Sequence, residues 1–138
     1  MMGLDTNILA RYYIDDEGDK EAEKQREISR SLIESGNDLM VCKTVLLEFV
    51  WVMRGYYRFK MKDILHVFQH LLSLEHVIIE DRNLIERAIS SLEEGVDFAD
   101  ALHHSSYYQC EGMLSFDDRK FARRLNKLAI MPRVIVPK

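Results

Sequence analysis

Five short apolar runs with β-branched character punctuate the sequence: MMGLD at 1–5, DLMVCK at 38–43, HVIIE at 76–80, GMLSF at 112–116 and RVIVP at 133–137. Longer stretches with helical spacing lie between them, at roughly 17–35, 44–55, 61–73, 82–94, 97–109 and 118–128. Strands that alternate with helices favour a parallel sheet covered by helices on both faces. The runs are not alternately polar and apolar, which predicts strands buried on both sides. Two helices separate the second run from the third, and two separate the third from the fourth, so some connections are more than simple crossovers. The expected fold class is α/β.

In an open parallel sheet, ligands bind outside the carboxyl ends of the strands. Acids gather where that edge should be. Asp5 ends the first run in the stretch LDTN, Glu48 follows the second by a little over one helical turn, and Asp117 ends the fourth. Asp97 and Asp100 open the helix that feeds the fourth strand. Each has a plainer use. Asp5, Thr6 or Asn7 can cap a helix beginning at Ile8, because a side-chain oxygen satisfies free N–H groups in the first turn. Asp97 follows Gly95 and stands where an N-cap belongs. Asp100 then falls in the first turn, on the side of His103 and His104. In SFDDRKF, Asp117 is the nearer to the strand, and Asp118 can serve either as cap or as site residue.

Glu48 is the sharpest anomaly, since TVLLEFVWVM surrounds it with apolar residues. A buried carboxylate must be paired, protonated or bound to a cation, because its desolvation costs several kcal/mol even after relaxation. A salt bridge to Arg54 or Arg11 is the structural alternative to a ligand. Taken together, Asp5, Glu48, Asp100 and Asp117 describe an oxygen-rich cage for a hard divalent cation such as Mg²⁺ or Mn²⁺. Thr6, Asn7 and Ser115 would hold a metal-bound water or a phosphate oxygen beside it. Such a cation activates water and stabilises the attacking and leaving oxygens of a phosphodiester.

Composition narrows the remaining classes. A length of 138 residues with 47% hydrophobic and 30% charged content fits one globular domain with a real core and no disordered tract. The longest apolar stretch is too short to cross a bilayer, and the first residues lack a basic region followed by a long apolar segment, so a cytoplasmic protein is expected. Cys42 and Cys110 have no CxxC spacing and read as small buried hydrophobes. The net charge of −4 argues against a surface that grips nucleic acid everywhere. Yet RGYYRFKMK at 54–62 and RKFARRLNK at 119–127 contain basic residues and no acid.

The combination GLDTNILARY at 3–12, TVLLEFVWVM at 44–53, DFADALH at 97–103 and SFDDRKFARRL at 115–125 resembles the PIN-domain ribonucleases, specifically the VapC toxins of bacterial and archaeal toxin–antitoxin pairs. The resemblance covers nearly the whole chain. It implies a single PIN domain over 1–138, a three-layer α/β/α sandwich with a central parallel sheet of four to five strands. It implies a catalytic metal site of Asp5, Glu48, Asp100 and Asp117, supported by Thr6, Asn7 and Ser115, with Asp97 and Asp118 as possible additions. It further implies Mg²⁺- or Mn²⁺-dependent endonucleolytic cleavage of RNA, a homodimer, and inhibition by a cognate VapB-like antitoxin.

Within that reading Arg119, Lys120, Arg123 and Arg124 offer phosphates a positive path past the acids. Tyr56, Tyr57 and Phe59 can stack on bases, but core or dimer packing is the commoner use of such residues. His66 and His70 lie one turn apart without an HExxH pattern, so no catalytic histidine is expected. Two other classes compete. One is a catalytically silent PIN-fold module whose acidic pocket docks a basic peptide or an RNA-associated partner. The other is a phospho-acceptor domain using Asp5 as nucleophile, which the haloacid-dehalogenase pattern disfavours, since Asn7 stands where that pattern requires a second Asp.

Overall fold

The computed structural model describes residues 1–138 and divides into two compact units, Met1–Glu80 and Asp81–Lys138. The first contains β1 (Met2–Gly3), α1 (Thr6–Tyr13), α2 (Lys20–Glu34), β2 (Leu39–Val41), α3 (Lys43–Trp51), a π-helical turn at Val52–Tyr56, α4 (Met61–Ser73) and β3 (Val77–Ile79). Its three strands pair in parallel in the order β1-β2-β3, with Leu39 opposite Met2 and Val77. The second contains α5 (Arg82–Glu93), α6 (Phe98–Ser106), β4 (Gly112–Leu114), a π-helical turn at Asp118–Ala122, α7 (Arg123–Lys127) and β5 (Arg133–Ile135). Here β4 and β5 pair in parallel, Met113 opposite Val134. The class is α/β and every strand pairing is parallel, as the alternating pattern requires, but the five strands bond as a sheet of three and a sheet of two.

Burial departs from expectation. Val77 and Ile79 are buried while Ile78 between them is 47% exposed, and Leu114 and Ile135 are likewise open to solvent. Register explains the pattern. Met40 lies opposite Ile78, so Leu39, Val41, Val77 and Ile79 share the covered face and Ile78 falls on the other. The short β1 has both residues exposed. Within the helices the apolar spacing does what periodicity demands: α4 buries Ile64, Val67, Phe68 and Leu71, one stripe at helical intervals. Asp19 caps α2 by accepting from the Ala22 N–H at 3.1 Å. Gly95 ends α5 with φ +92°, a left-handed residue that lets its N–H reach the Leu92 carbonyl and the Val96 N–H reach Ser91. No helix is long and apolar enough to cross a membrane. Cys110, expected to be buried, is exposed in the turn that follows α6, its N–H bonded back to the Tyr107 carbonyl, and Cys42 is half-buried.

Candidate active site

Asp5 stands between β1 and α1, where the chain changes from extended to helical. Its backbone is extended, and Oδ1 accepts from the Thr6 N–H at 2.8 Å. The carboxylate therefore caps α1, which starts at Thr6, two residues earlier than the sequence pattern suggests. Capping occupies one oxygen only, and the residue stays exposed. Thr6 is 6% exposed, and its Oγ1 has no hydrogen-bond partner. An orphaned buried hydroxyl costs about 1–3 kcal/mol. It marks a place where an oxygen-rich ligand would be welcome.

Glu48 is not buried. Leu46, Phe49, Val50 and Met53 take the covered side of α3 and of the turn that follows, which leaves Glu48 on the solvent side with Thr44 and Trp51. The apolar setting in the sequence belongs to the other face of the same helix. Arg11, one candidate partner for Glu48, is engaged by Asp16 at 3.5 Å and donates from Nε to Gln25 at 2.9 Å. Glu48 opens instead on a cavity of about 680 Å³ that it shares with Asp5, Thr6, Asn7 and Arg11. Helix geometry makes the cavity. Asn7, Ala10 and Arg11 form one face of α1, and Glu48, Trp51, Val52 and Gly55 form one continuous face of α3 and its π-helical turn. Tyr56 and Tyr57 complete the wall. The start of α3 is fixed from β3's end, where Glu80 accepts from the Lys43 N–H at 2.9 Å.

The second unit assembles its own acids. Asp97 caps α6 by accepting from the Ala99 N–H at 3.2 Å. Asp100 lies one turn in, half-buried, and its carboxyl is held above the usual carboxylate range by burial first and then by the negative charges of Asp97 and Asp117, with His103 opposing. Asp117 precedes the second π-helical turn, and its N–H donates to Ser115 Oγ at 3.1 Å, so Ser115 orients the chain at that acid. Asp118 is ion-paired to Arg123 at 2.8 Å. Arg124 donates to the Gly95 carbonyl at 2.5 Å. Two of the four basic candidates thus already have partners, while Arg119 and Lys120 are exposed. His104 does not share the face of Asp100: it is buried, with Nε2 2.5 Å from the Pro132 carbonyl and its ring edge-on to Phe121. In neither unit do three carboxylate, imidazole or thiol side chains stand together as a ready-made metal cage.

The PIN domain family model matches residues 2–127. The chain belongs to the PIN domain family. No curated protein matches it. PIN domains are generally nucleases that hydrolyse phosphodiester bonds, and they typically depend on divalent metal. The match runs through both units and includes Asp5, Glu48, Asp97, Asp100, Asp117 and Asp118. This PIN domain's donors fit such a cation. They are carboxylates and a hydroxyl, the hard oxygens that magnesium-like ions prefer over thiolate or imidazole. Within the first unit, the buried Thr6 hydroxyl, which has no partner, suits the water shell of such a cation; within the second, the Asp100 carboxyl, raised by burial and then by Asp97 and Asp117, is a donor whose charge a cation would favour.

In the wall of this cavity, Trp51 is the residue the sequence reading misses, while Tyr56 and Tyr57 stand there between base stacking and core or dimer packing. Trp51 and Tyr56 are each 77% exposed, so of the core or dimer packing expected of the tyrosines, packing in the core does not hold for Tyr56. A signal was present: Trp51 follows Glu48 at the spacing that puts two side chains on one helix face.

Proposed function

We propose that this PIN domain is a metal-dependent endoribonuclease, the toxin of a VapBC-type pair, with residues 1–138 acting as one domain. The observation that carries the reading is the meeting of Asp5, from the cap of α1, and Glu48, from α3, on one cavity beside a buried hydroxyl that has no partner. In this proposal Asp5, Glu48, Asp100 and Asp117 hold Mg²⁺ or Mn²⁺, which when bound supplies an activated water and charge stabilisation for hydrolysis.

The chain's residues have distinct tasks around that chemistry. Thr6 Oγ1 donates to a water or phosphate oxygen, and Asn7 shapes the mouth beside it. Ser115 fixes the backbone from which Asp117 projects. Arg119, Lys120, Arg123 and Arg124 draw the RNA backbone toward carboxylates that would otherwise repel it. In the overall reaction water adds across a P–O bond, the hydroxyl going to phosphorus and the proton to the departing ribose oxygen. The toxin role carries three further proposals: a VapB-like antitoxin that blocks the site, a homodimer, and action in the cytoplasm.

Cleavage of RNA that stops in EDTA and returns with Mg²⁺ or Mn²⁺, and that Glu48→Gln abolishes without unfolding the protein, is the expected result. Cleavage that persists in EDTA refutes the metal proposal. Tight binding of a basic peptide with no nuclease activity in any divalent ion would replace this reading with the silent docking module.

A further inference from the structure

We propose that the aromatic wall beside Asp5 and Glu48 is a nucleobase platform, on which Trp51 and Tyr56 stack an unpaired base of the RNA strand being cut. The proposal rests on the ribonuclease reading and adds to it the residues that would hold a base beside the acid pair. Four observations point to a base.

The rings are presented to solvent rather than consumed by the core, each residue being 77% exposed. They line the same cavity as the acid pair, so a base seated on them belongs to a nucleotide close to those carboxylates. The wall is braced. Tyr57 packs edge-on against Tyr56 with ring centroids 4.7 Å apart, and its hydroxyl donates to Asp16 at 3.3 Å. Asp16 also holds Arg11 on the cavity's other side. Last, the segment carrying Tyr56 and Tyr57 alternates rings with cations: Arg54, Arg58, Lys60 and Lys62 surround them, and no acid occurs from 54 to 62.

A basic segment that also carries exposed rings suits a strand that carries both phosphates and bases. An acidic peptide would be repelled by Asp5 and Glu48, which line the same cavity. A paired base has its faces covered by neighbours in the stack, so only unpaired or splayed nucleotides fit. Stacking reads a π-face that every base has, so the platform selects strand state rather than sequence.

Trp51 is the chain's single tryptophan, which makes the test direct. The intact chain, kept in EDTA so that nothing is cleaved, is titrated with a short unstructured RNA oligonucleotide, its abasic analogue, and a duplex of the same strand. The unstructured RNA is expected to quench the tryptophan fluorescence strongly, and the other two hardly at all. Tyr56→Ala should weaken that binding about 5- to 150-fold, the affinity equivalent of one stacked base. In cleavage assays with Mg²⁺, Trp51→Ala should raise KM with a smaller change in kcat, and Trp51→Phe should recover most of the loss.

Equal quenching by the abasic strand, unchanged KM in Trp51→Ala, or quenching produced only by aromatic peptides or by raising the protein's own concentration overturns the platform. The two readings fail separately. Base-dependent quenching in a protein that never cuts RNA removes the nuclease and keeps the platform, whereas metal-dependent cleavage without base-dependent quenching does the reverse.

Discussion

Asp5 is both a helix cap and a proposed metal ligand, and two substitutions separate these roles. Asp5→Ala removes the 2.8 Å bond to the Thr6 N–H. That bond reaches the first helical N–H rather than the second or third, which places its loss near the lower part of the usual N-cap range, about 0.5–1 kcal/mol. A chain of 138 residues unfolds with an entropy near 0.3 kcal/mol per degree, so Tm should fall by about 2–3 °C. Asp5→Asn keeps a side-chain oxygen at the cap and should melt, in EDTA, within about a degree of the wild type. Both variants lose the negative ligand.

Metal separates the variants from the parent. Mg²⁺ at about 100 times its Kd stabilises a protein that binds it only when folded by about 2.7 kcal/mol, or roughly 9 °C here. The wild type should show that shift and cleave RNA; Asp5→Asn should show little of either. Calorimetric or fluorescence melts with and without Mg²⁺, paired with a cleavage assay, measure all three quantities. A variant Asp5→Asn that cuts RNA at the parental rate, or that retains the full Mg²⁺ shift, refutes the assignment of Asp5 as a ligand.

Asp100 supplies a pH signature. Its folded-state carboxyl titrates above the ordinary value of 3.8, so the folded state holds its proton more tightly than the unfolded state. The part of the stability in EDTA that Asp100 contributes should therefore be fully present below that ordinary value and be lost as pH rises through the raised folded one. Asp100→Asn should flatten that decline, which urea melts across the acidic range will show. A wild type whose pH dependence over that window does not differ from that of Asp100→Asn contradicts the raising of this carboxyl by burial and by Asp97 and Asp117. The basic residues divide by partner. Arg119→Ala and Lys120→Ala should each reduce the slope of log affinity for single-stranded RNA against log salt by about 0.7 and leave Tm unchanged. Arg124→Ala, which also loses the Gly95 carbonyl, should lower Tm as well.

What the sequence displays best is whatever repeats at the period of its element. Helices α2 and α4 to α7 lie within the stretches whose apolar spacing marks them, α3 starts one residue ahead of its own, and all five strands fall inside the five apolar runs. Hydrogen bonding between particular strands is a long-range property with no local signal, so the division into sheets of three and two was not legible. Glu48 was noticed for a reason the structure reverses. In linear order its neighbours are apolar, but a helix turns every third or fourth residue away from the core, and Glu48 is one of these. Asp117 and Asp118 illustrate the same limit at closer range. Adjacent and chemically alike, they differ only because Arg123, five residues on, pairs with the second.

The positions of the acids also bear on how this fold tolerates them before any cation arrives. Asp5 caps α1 and Asp100 occupies the first turn of α6, the ends at which aligned peptide dipoles carry partial positive charge. Each placement offsets repulsion by some tenths of a kcal/mol without a basic side chain. An arginine in that role would neutralise the carboxylate and compete with any metal, as Arg123 does at Asp118. Glu48 has no helix end to help it, and solvent exposure serves instead. The chain thus keeps arginine away from its proposed ligands, setting them at helix ends or on a solvent-facing side, and both settings leave carboxylate oxygens free to coordinate. Installing a competing cation tests this logic: Thr44→Arg, one turn before Glu48 on the same exposed face of α3, should raise the metal-free Tm while weakening Mg²⁺ binding and cleavage together. A variant that gains stability and keeps full activity would show that neutralising Glu48 is harmless and that it is no ligand.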